Sequence, residues 1–188
     1  MSKTFIIGIS GSGKTTLARK MAEKWNVPYI SASECLADVP LPPGCSRQER
    51  AEYLSDYTTN ILRKNPGFCS NYLQQKHGKD TLMYGNEPVA NPESRCSAVI
   101  EGIRNPYDFM QLFRPENGDE VVSVEYNNNP CQKTYFEQGL EVIDSYLYWL
   151  VQNNVMDPWQ YQRISFDRFT DQEKQSPLER SLQEFNLC

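Results

Sequence analysis

A chain of 188 residues is long enough for one domain with a sizeable buried core. Asp and Glu outnumber Lys and Arg by 24 to 19, a formal net charge of −5 that speaks against a broad nucleic-acid-binding surface and leaves room for a local basic groove. No apolar run approaches membrane-spanning length and no signal-peptide pattern precedes the first strand, so a soluble, cytoplasmic protein without a membrane partner is expected.

The first predicted element is the apolar run Thr4-Phe5-Ile6-Ile7, a strand. Residues 8–15 then read Gly-Ile-Ser-Gly-Ser-Gly-Lys-Thr, which fits G-x-x-x-x-G-K-[ST], and a helix-forming stretch runs on from Thr16 to Trp25. Gly-Ser-Gly alone is ordinary linker composition; with a strand before it, Lys-Thr in register and a helix after it, it is a phosphate-binding loop. Gly8, Gly11 and Gly13 permit backbone conformations and close approaches that a side chain blocks. Together with Ser10, Ser12 and Thr16 they form the expected nucleotide cradle, in which loop N–H groups and the helix N-terminus face the phosphates. Lys14 is expected to reach the β- and γ-phosphates and the Thr15 hydroxyl to hold Mg²⁺. The implied cofactors are ATP and Mg²⁺.

A short second strand is predicted at Pro28-Tyr29-Ile30-Ser31, then a rigid loop at Pro40-Leu41-Pro42-Pro43-Gly44. Ser46-Arg47-Gln48-Glu49 is a capping box that opens a helix with Leu54, Tyr57, Thr58 and Ile61 on one face, ending at Asn65-Pro66-Gly67. A further helix is predicted from Phe68 to Lys76, stopping at Gly78. His77, the only histidine, lies in this polar stretch and is expected to be exposed rather than catalytic. Residues 79–95 read as a long turn-rich loop.

Ser97-Ala98-Val99-Ile100 predicts a buried strand, Tyr107–Phe113 a helix and Glu120–Tyr126 a fourth strand, broken at Asn127-Asn128-Asn129-Pro130. Phe136, Leu140, Ile143, Leu147 and Leu150 recur at helical spacing; Trp159–Phe166 reads as the last strand, and Leu178, Leu182 and Phe185 mark a short C-terminal helix near residues 177–186. Alternating strands and helices predict an α/β three-layer sandwich: a parallel five-stranded sheet with helices on both faces, in a single domain spanning residues 1–188. The six cysteines (Cys35, Cys45, Cys69, Cys96, Cys131 and Cys188) are never closer than ten residues, so no Cys-x-x-Cys metal or redox spacing exists and free thiols are expected.

In such a sheet, ligands bind at the carboxyl ends of the strands. Three ends carry chemistry: the phosphate loop, Ser31-Ala32-Ser33-Glu34, and Glu101-Gly102-Ile103-Arg104. Glu101 reads either as a Mg²⁺ holder opposite Thr15 or as a solvated strand-end acid. Arg104 reads either as a bidentate phosphate clamp or as half of a surface ion pair. Glu34 reads either as the general base for a hydroxyl acceptor or as a first-turn helix acid favoured by the dipole. A phosphate acceptor, already an anion, needs no base.

On Gly8–Thr15, Ser31–Glu34 and the block Val99-Ile100-Glu101-Gly102-Ile103-Arg104-Asn105-Pro106, the chain resembles the nucleotide and nucleoside kinases among the P-loop proteins. That resemblance implies a P-loop kinase-like fold, an acceptor-binding helical insertion at about residues 34–95, and transfer of the ATP γ-phosphate to a nucleotide-type acceptor. The Glu-Gly-Ile-Arg-Asn-Pro block also looks like that of small bacteriophage kinases that phosphorylate 5-hydroxymethyluracil within DNA, which implies modified DNA as acceptor and the host cytoplasm as location. One departure stands out. The lid of monophosphate kinases carries arginines, whereas the matching stretch, residues 127–133, offers Lys133 alone. A free nucleoside or monophosphate kinase is the alternative; a nucleotide-binding switch or ATPase is a third reading, without a D-x-x-G motif to support it.

Overall fold

β1 (Ser2–Ile7) is buried at every residue, as the middle strand of a sheet covered on both faces must be. The computed structural model describes residues 2–78, 82, 96–126 and 138–166. The predicted C-terminal helix, the segment 79–95 apart from Leu82, the 127–133 stretch with Lys133, and Phe136, Cys131 and Cys188 lie outside the described residues.

Among the described residues the elements follow the predicted order. β1 leads through the glycine-rich loop into α1 (Lys14–Trp25); β2 (Tyr29–Ser31) is followed by a 3₁₀ turn (Ala32–Leu36), then α2 (Arg47–Lys64) and α3 (Phe68–His77). β3 (Cys96–Glu101), α4 (Pro106–Leu112), β4 (Glu120–Tyr126), α5 (Gly139–Gln152) and β5 (Tyr161–Phe166) complete the set. All strand pairs are parallel, in the order β2-β3-β1-β4-β5. The predicted last strand begins two residues late, because Pro158–Gln160 forms a 3₁₀ turn capped by Asp157. No described helix is long and apolar enough to cross a membrane.

Each face of the sheet has its own core. Ile6, Val99, Val122 and Val124 pack under Leu17, Ala18 and Met21 of α1. Phe5, Ile7, Ala98, Ile100 and Val121 pack under α3, α4 and α5 on the opposite face. Alternate residues along a strand point to opposite faces, so the continuous apolar run Phe5-Ile6-Ile7 feeds both layers. Phe5, Phe109 and Phe113 form an aromatic cluster, with Phe5 edge-on to the other two at 5.5 and 5.7 Å. α2 is the exception: of its described side chains only Thr58 is buried, and the helix stands off the sheet.

β1 starts two residues earlier than its apolar run predicts. Lys3 is fully buried because its Nζ pairs with Asp119 Oδ2 at 2.9 Å, and Asp119 is itself 0% exposed. Asp119 also accepts from the backbone N–H of Lys3 at 2.8 Å and of Arg114 at 2.9 Å. One carboxylate thereby joins the start of β1 to the approach to β4. Removing it leaves an uncompensated buried ammonium and two unpaired amides. Asp119→Ala is expected to cost about 3–5 kcal/mol of unfolding free energy in urea denaturation; a loss below about 1 kcal/mol would show that the pair does not hold the strand.

Candidate active site

The glycines of the phosphate loop do what their positions predict. Gly8, Gly11 and Gly13 take φ of 151°, 79° and 85°, the left-handed region that L side chains avoid. A Cβ on Gly8 would lie 2.4 Å from the Val124 carbonyl oxygen and 2.8 Å from Ser12 Oγ, so the close approach of loop to β4 excludes any other residue there. α1 begins at Lys14 with no side chain capping its N-terminus. Lys14 is 6% exposed, and its Nζ donates to the Ile9 carbonyl at 3.1 Å, inside the curl of the loop. Ser12 Oγ is buried without a partner. An orphaned hydroxyl, an uncapped helix start and a buried ammonium around one cradle fit a bound triphosphate.

Sheet register brings Glu101 to this cradle. Glu101 pairs with Ile6 of β1 on one side and with Ser31 of β2 on the other. It is the last residue of β3 and 5% exposed, so it is a buried strand-end acid rather than a solvated one. Its Oε1 accepts from Ser31 Oγ at 2.6 Å and from Tyr29 OH at 3.0 Å. Tyr29 and Ser31 share the α1-facing side of β2, which is why both hydroxyls reach the same oxygen. Burial, and then the neighbouring Glu101 carboxylate, push the Tyr29 hydroxyl up, so it stays a donor. These two partners escape a reading of spacing in the sequence, because only the β2–β3 register joins them to Glu101. Lys14, Thr15 and Glu101 line one cavity of about 310 Å³. A hydroxyl and a buried, oriented carboxylate are oxygen donors suited to Mg²⁺.

Arg104 crosses from the β3 end to the loop, its Nη2 donating to Ser10 Oγ at 3.2 Å, and both residues line the same cavity. A Cβ on Gly139, the first residue of α5, would lie 2.2 Å from the Arg104 carbonyl oxygen. Close packing of α5 on the Arg104 backbone therefore requires that glycine, a role the sequence reading missed. Thr16 is exposed in the first turn of α1 and is not among the cavity-lining residues.

Glu34 is held elsewhere. It forms a capping box with Ser31, its Oε1 accepting from the Ser31 N–H at 3.3 Å. Its Oε2 meets Lys76 Nζ at 2.7 Å and His77 Nε2 at 3.2 Å. Burial alone would raise this carboxyl, but Lys76, the Ser31 amide and His77 outweigh burial and hold it below the ordinary glutamate range. Of its two readings, this geometry matches the helix-cap acid: Glu34 ties the 3₁₀ turn to the end of α3 and does not line the cavity. His77 is a correction as well, being partly buried as a partner of Glu34 rather than freely exposed.

The outer part of the cavity lies between α2, the 3₁₀ turn, α3 and the β3–α4 loop. Leu36, Leu54, Leu62, Phe68 and Ile103 give it apolar walls, and Ser55, Thr58 and Asn105 add neutral polar groups. Asp108, 1% exposed, braces two of these elements: its Oδ1 accepts from the Ser70 N–H of α3 at 2.7 Å and its Oδ2 from Asn105 Nδ2 at 2.8 Å. Burial pushes the Asp108 carboxyl up despite those bonds.

The AAA-domain family matches residues 7–66, the stretch from the end of β1 through α2. No curated protein matches the sequence. Similar solved structures include shikimate kinase from Bacteroides thetaiotaomicron (16% identity, 100% of this chain and 99% of that one, TM-score 0.41). Dephospho-CoA kinase from Campylobacter jejuni aligns at 13% identity over 98% of each chain, and thymidylate kinase from Ehrlichia chaffeensis at 12% over 98% of each, both with a TM-score of 0.41. Likeness at that level carries no argument about substrate; strand order and loop geometry define the fold.

The position of Glu34 generates a test with a defined sign. A carboxyl whose folded pKa is depressed adds stability at pH values above its unfolded pKa and loses it as pH falls through the folded value. Glu34→Gln is therefore expected to lower stability by less than about 1 kcal/mol at neutral pH. The difference from wild type should shrink as pH falls below the ordinary glutamate range, as followed by thermal melting from neutral pH into acid. A deficit that persists unchanged at the acid end would show that the carboxylate charge is not what joins turn and helix.

Proposed function

We propose that the protein is an ATP-dependent phosphotransferase of the P-loop kinase type that moves the γ-phosphate to a hydroxyl of a nucleotide-type acceptor. The observation that carries this reading is the opening of one cavity onto both Lys14 of the phosphate loop and the walls formed by α2 and α3. Bound ATP with Mg²⁺ supplies the transferable phosphoryl group. The loop amides and Lys14 hold the phosphates and offset charge as it develops on them. Thr15 and Glu101 hold the metal, with Tyr29 and Ser31 fixing the Glu101 carboxylate. Arg104, beside Ser10, clamps the phosphoryl oxygens with its planar fork. The apolar walls exclude water and orient the acceptor.

The walls support a neutral acceptor group. Among the described lining residues the cations are Lys14 and Arg104, and Arg104 bonds to the loop itself. Within that reading, 5-hydroxymethyl-deoxyuridine in DNA is the specific acceptor favoured by the Glu-Gly-Ile-Arg-Asn-Pro block. A base in a duplex would need to be flipped out to enter. Engagement of Glu34 with Lys76 and His77 favours a second reading, a monophosphate kinase, since it withdraws the β2 carboxylate from service as a base.

Incubation with γ-labelled ATP and a panel of nucleosides, monophosphates, unmodified DNA and 5-hydroxymethyluracil DNA separates these readings. Label is expected on a hydroxyl acceptor; label confined to monophosphates selects the second reading, and label on none refutes phosphotransfer to this class. Lys14→Ala is expected to abolish transfer with an unchanged melting temperature, and near wild-type turnover would refute the kinase reading. Glu101→Gln is expected to lower turnover roughly 100-fold and to shift the Mg²⁺ titration to higher concentration. An unchanged titration would remove Glu101 from the metal site.

A further inference from the structure

Two thiols on the cavity wall have no part in phosphoryl transfer. Cys35 lies in the 3₁₀ turn after β2, and Cys69 is the second residue of α3. Both are free and partly exposed, and both line the cavity. Cys69 Sγ donates to the carbonyl of Ala32, in the same turn as Cys35, at 3.4 Å. Ala32 and Cys35 stand three residues apart in that 3₁₀ turn, a spacing that sets them on one side of it. A second tie, from Glu34 to Lys76 and His77, holds the same turn against the far end of α3. The turn that carries Cys35 and the helix that carries Cys69 are thus fastened to each other at both ends. Cys96, by contrast, is buried on the α1 side of the sheet and bonded to Thr4 and the Ala98 carbonyl.

We propose that Cys35 and Cys69 form a redox-modification site in the wall of the acceptor cavity, a dithiol that a small disulfide such as oxidised glutathione converts to an intramolecular Cys35–Cys69 disulfide. Cys35 attacks first, because the Cys69 S–H is engaged with the Ala32 carbonyl, and the nearby Cys35 side chain and then burial push the Cys69 thiol up and keep it protonated. The Cys35 thiolate forms a bond to one glutathione sulfur, the glutathione S–S bond breaks, and one glutathione leaves as thiolate and takes up a proton. Cys69 then loses its proton to solvent and attacks the Cys35 sulfur. The protein S–S bond forms, the mixed disulfide breaks and the second glutathione leaves. Two protein thiols are oxidised by two electrons and one small disulfide is reduced to two thiols.

An S–S bond of about 2.05 Å joins the turn to α3 covalently at the cavity wall. The consequence for acceptor binding rests on the proposed acceptor site; formation of the bond does not.

The full-length protein equilibrated in glutathione buffers of graded oxidised-to-reduced ratio, acid-quenched and mapped by mass spectrometry, tests the site. The expected dominant species is a peptide pair linked Cys35–Cys69, absent from both Cys35→Ser and Cys69→Ser. Oxidised wild type is expected to melt several degrees higher than reduced wild type, with no such gain in either variant. Oxidation is also expected to raise the KM for the acceptor labelled in the panel about fivefold or more while the KM for ATP stays within about twofold. Mixed disulfide at Cys35 that never resolves onto Cys69, or preferential pairing of either thiol with Cys45, Cys131 or Cys188, would overturn the proposal. A Cys35–Cys69 bond that forms without changing the acceptor KM would leave the redox site standing and overturn the acceptor-site reading instead.

Discussion

Glu101 stands between Ile6 and Ser31 in the sheet, and the site depends on that register. Parallel pairing brings the carboxyl ends of β1, β2 and β3 to one edge. The phosphate loop, the capped turn with Ser31 and the Glu101–Arg104 segment therefore meet without any long excursion of the chain. A slip of one residue in β3 would turn Glu101 to the opposite face, where Ile100 now packs beneath α4 and α5. The buried apolar faces of β3 forbid that slip: Ala98 and Ile100 belong to one core, Val99 to the other. Core packing thus fixes the position of the Glu101 carboxylate.

The same sheet separates stability from chemistry. At the amino end of β1, Lys3 and Asp119 form a buried pair whose hydrogen bonds tie strands to loops. At the carboxyl end, polar groups line an open cavity and Ser12 Oγ remains without a partner. Satisfied polar groups at one end and an orphaned hydroxyl at the other are what a ligand-binding edge on a rigid scaffold requires.

The cavity wall is built differently from the cradle. Among the described side chains of α2 only Thr58 is buried, so the helix has little core of its own there. α3 is anchored more firmly. Asp108 accepts from its first turn, Glu34 from its last, and Leu73 enters the main core. Cys69 sits on this anchored element and Cys35 on the turn it braces, so any covalent link between them acts on the firmer side of the cavity.

The sequence by itself determined the elements seen among the described residues, their alternation and the phosphate loop. Those features rest on local rules: apolar periodicity, capping residues, and glycines whose φ no other residue accepts. It also marked Glu101 and Arg104, because a charged residue straight after an apolar strand has few places to go. Tertiary structure decided which partners each acid meets. Glu34 satisfies both the base and the cap pattern in one dimension; the capping box with Ser31 is local, and only the fold brings Lys76 and His77 from α3 to its other oxygen. The contacts of Tyr29 and Ser31 with Glu101, of Asp108 with Ser70, and of Gly139 with the Arg104 backbone were likewise illegible in the sequence. They join residues distant in the chain, set by strand register and helix packing, and no spacing along a single strand or helix encodes them.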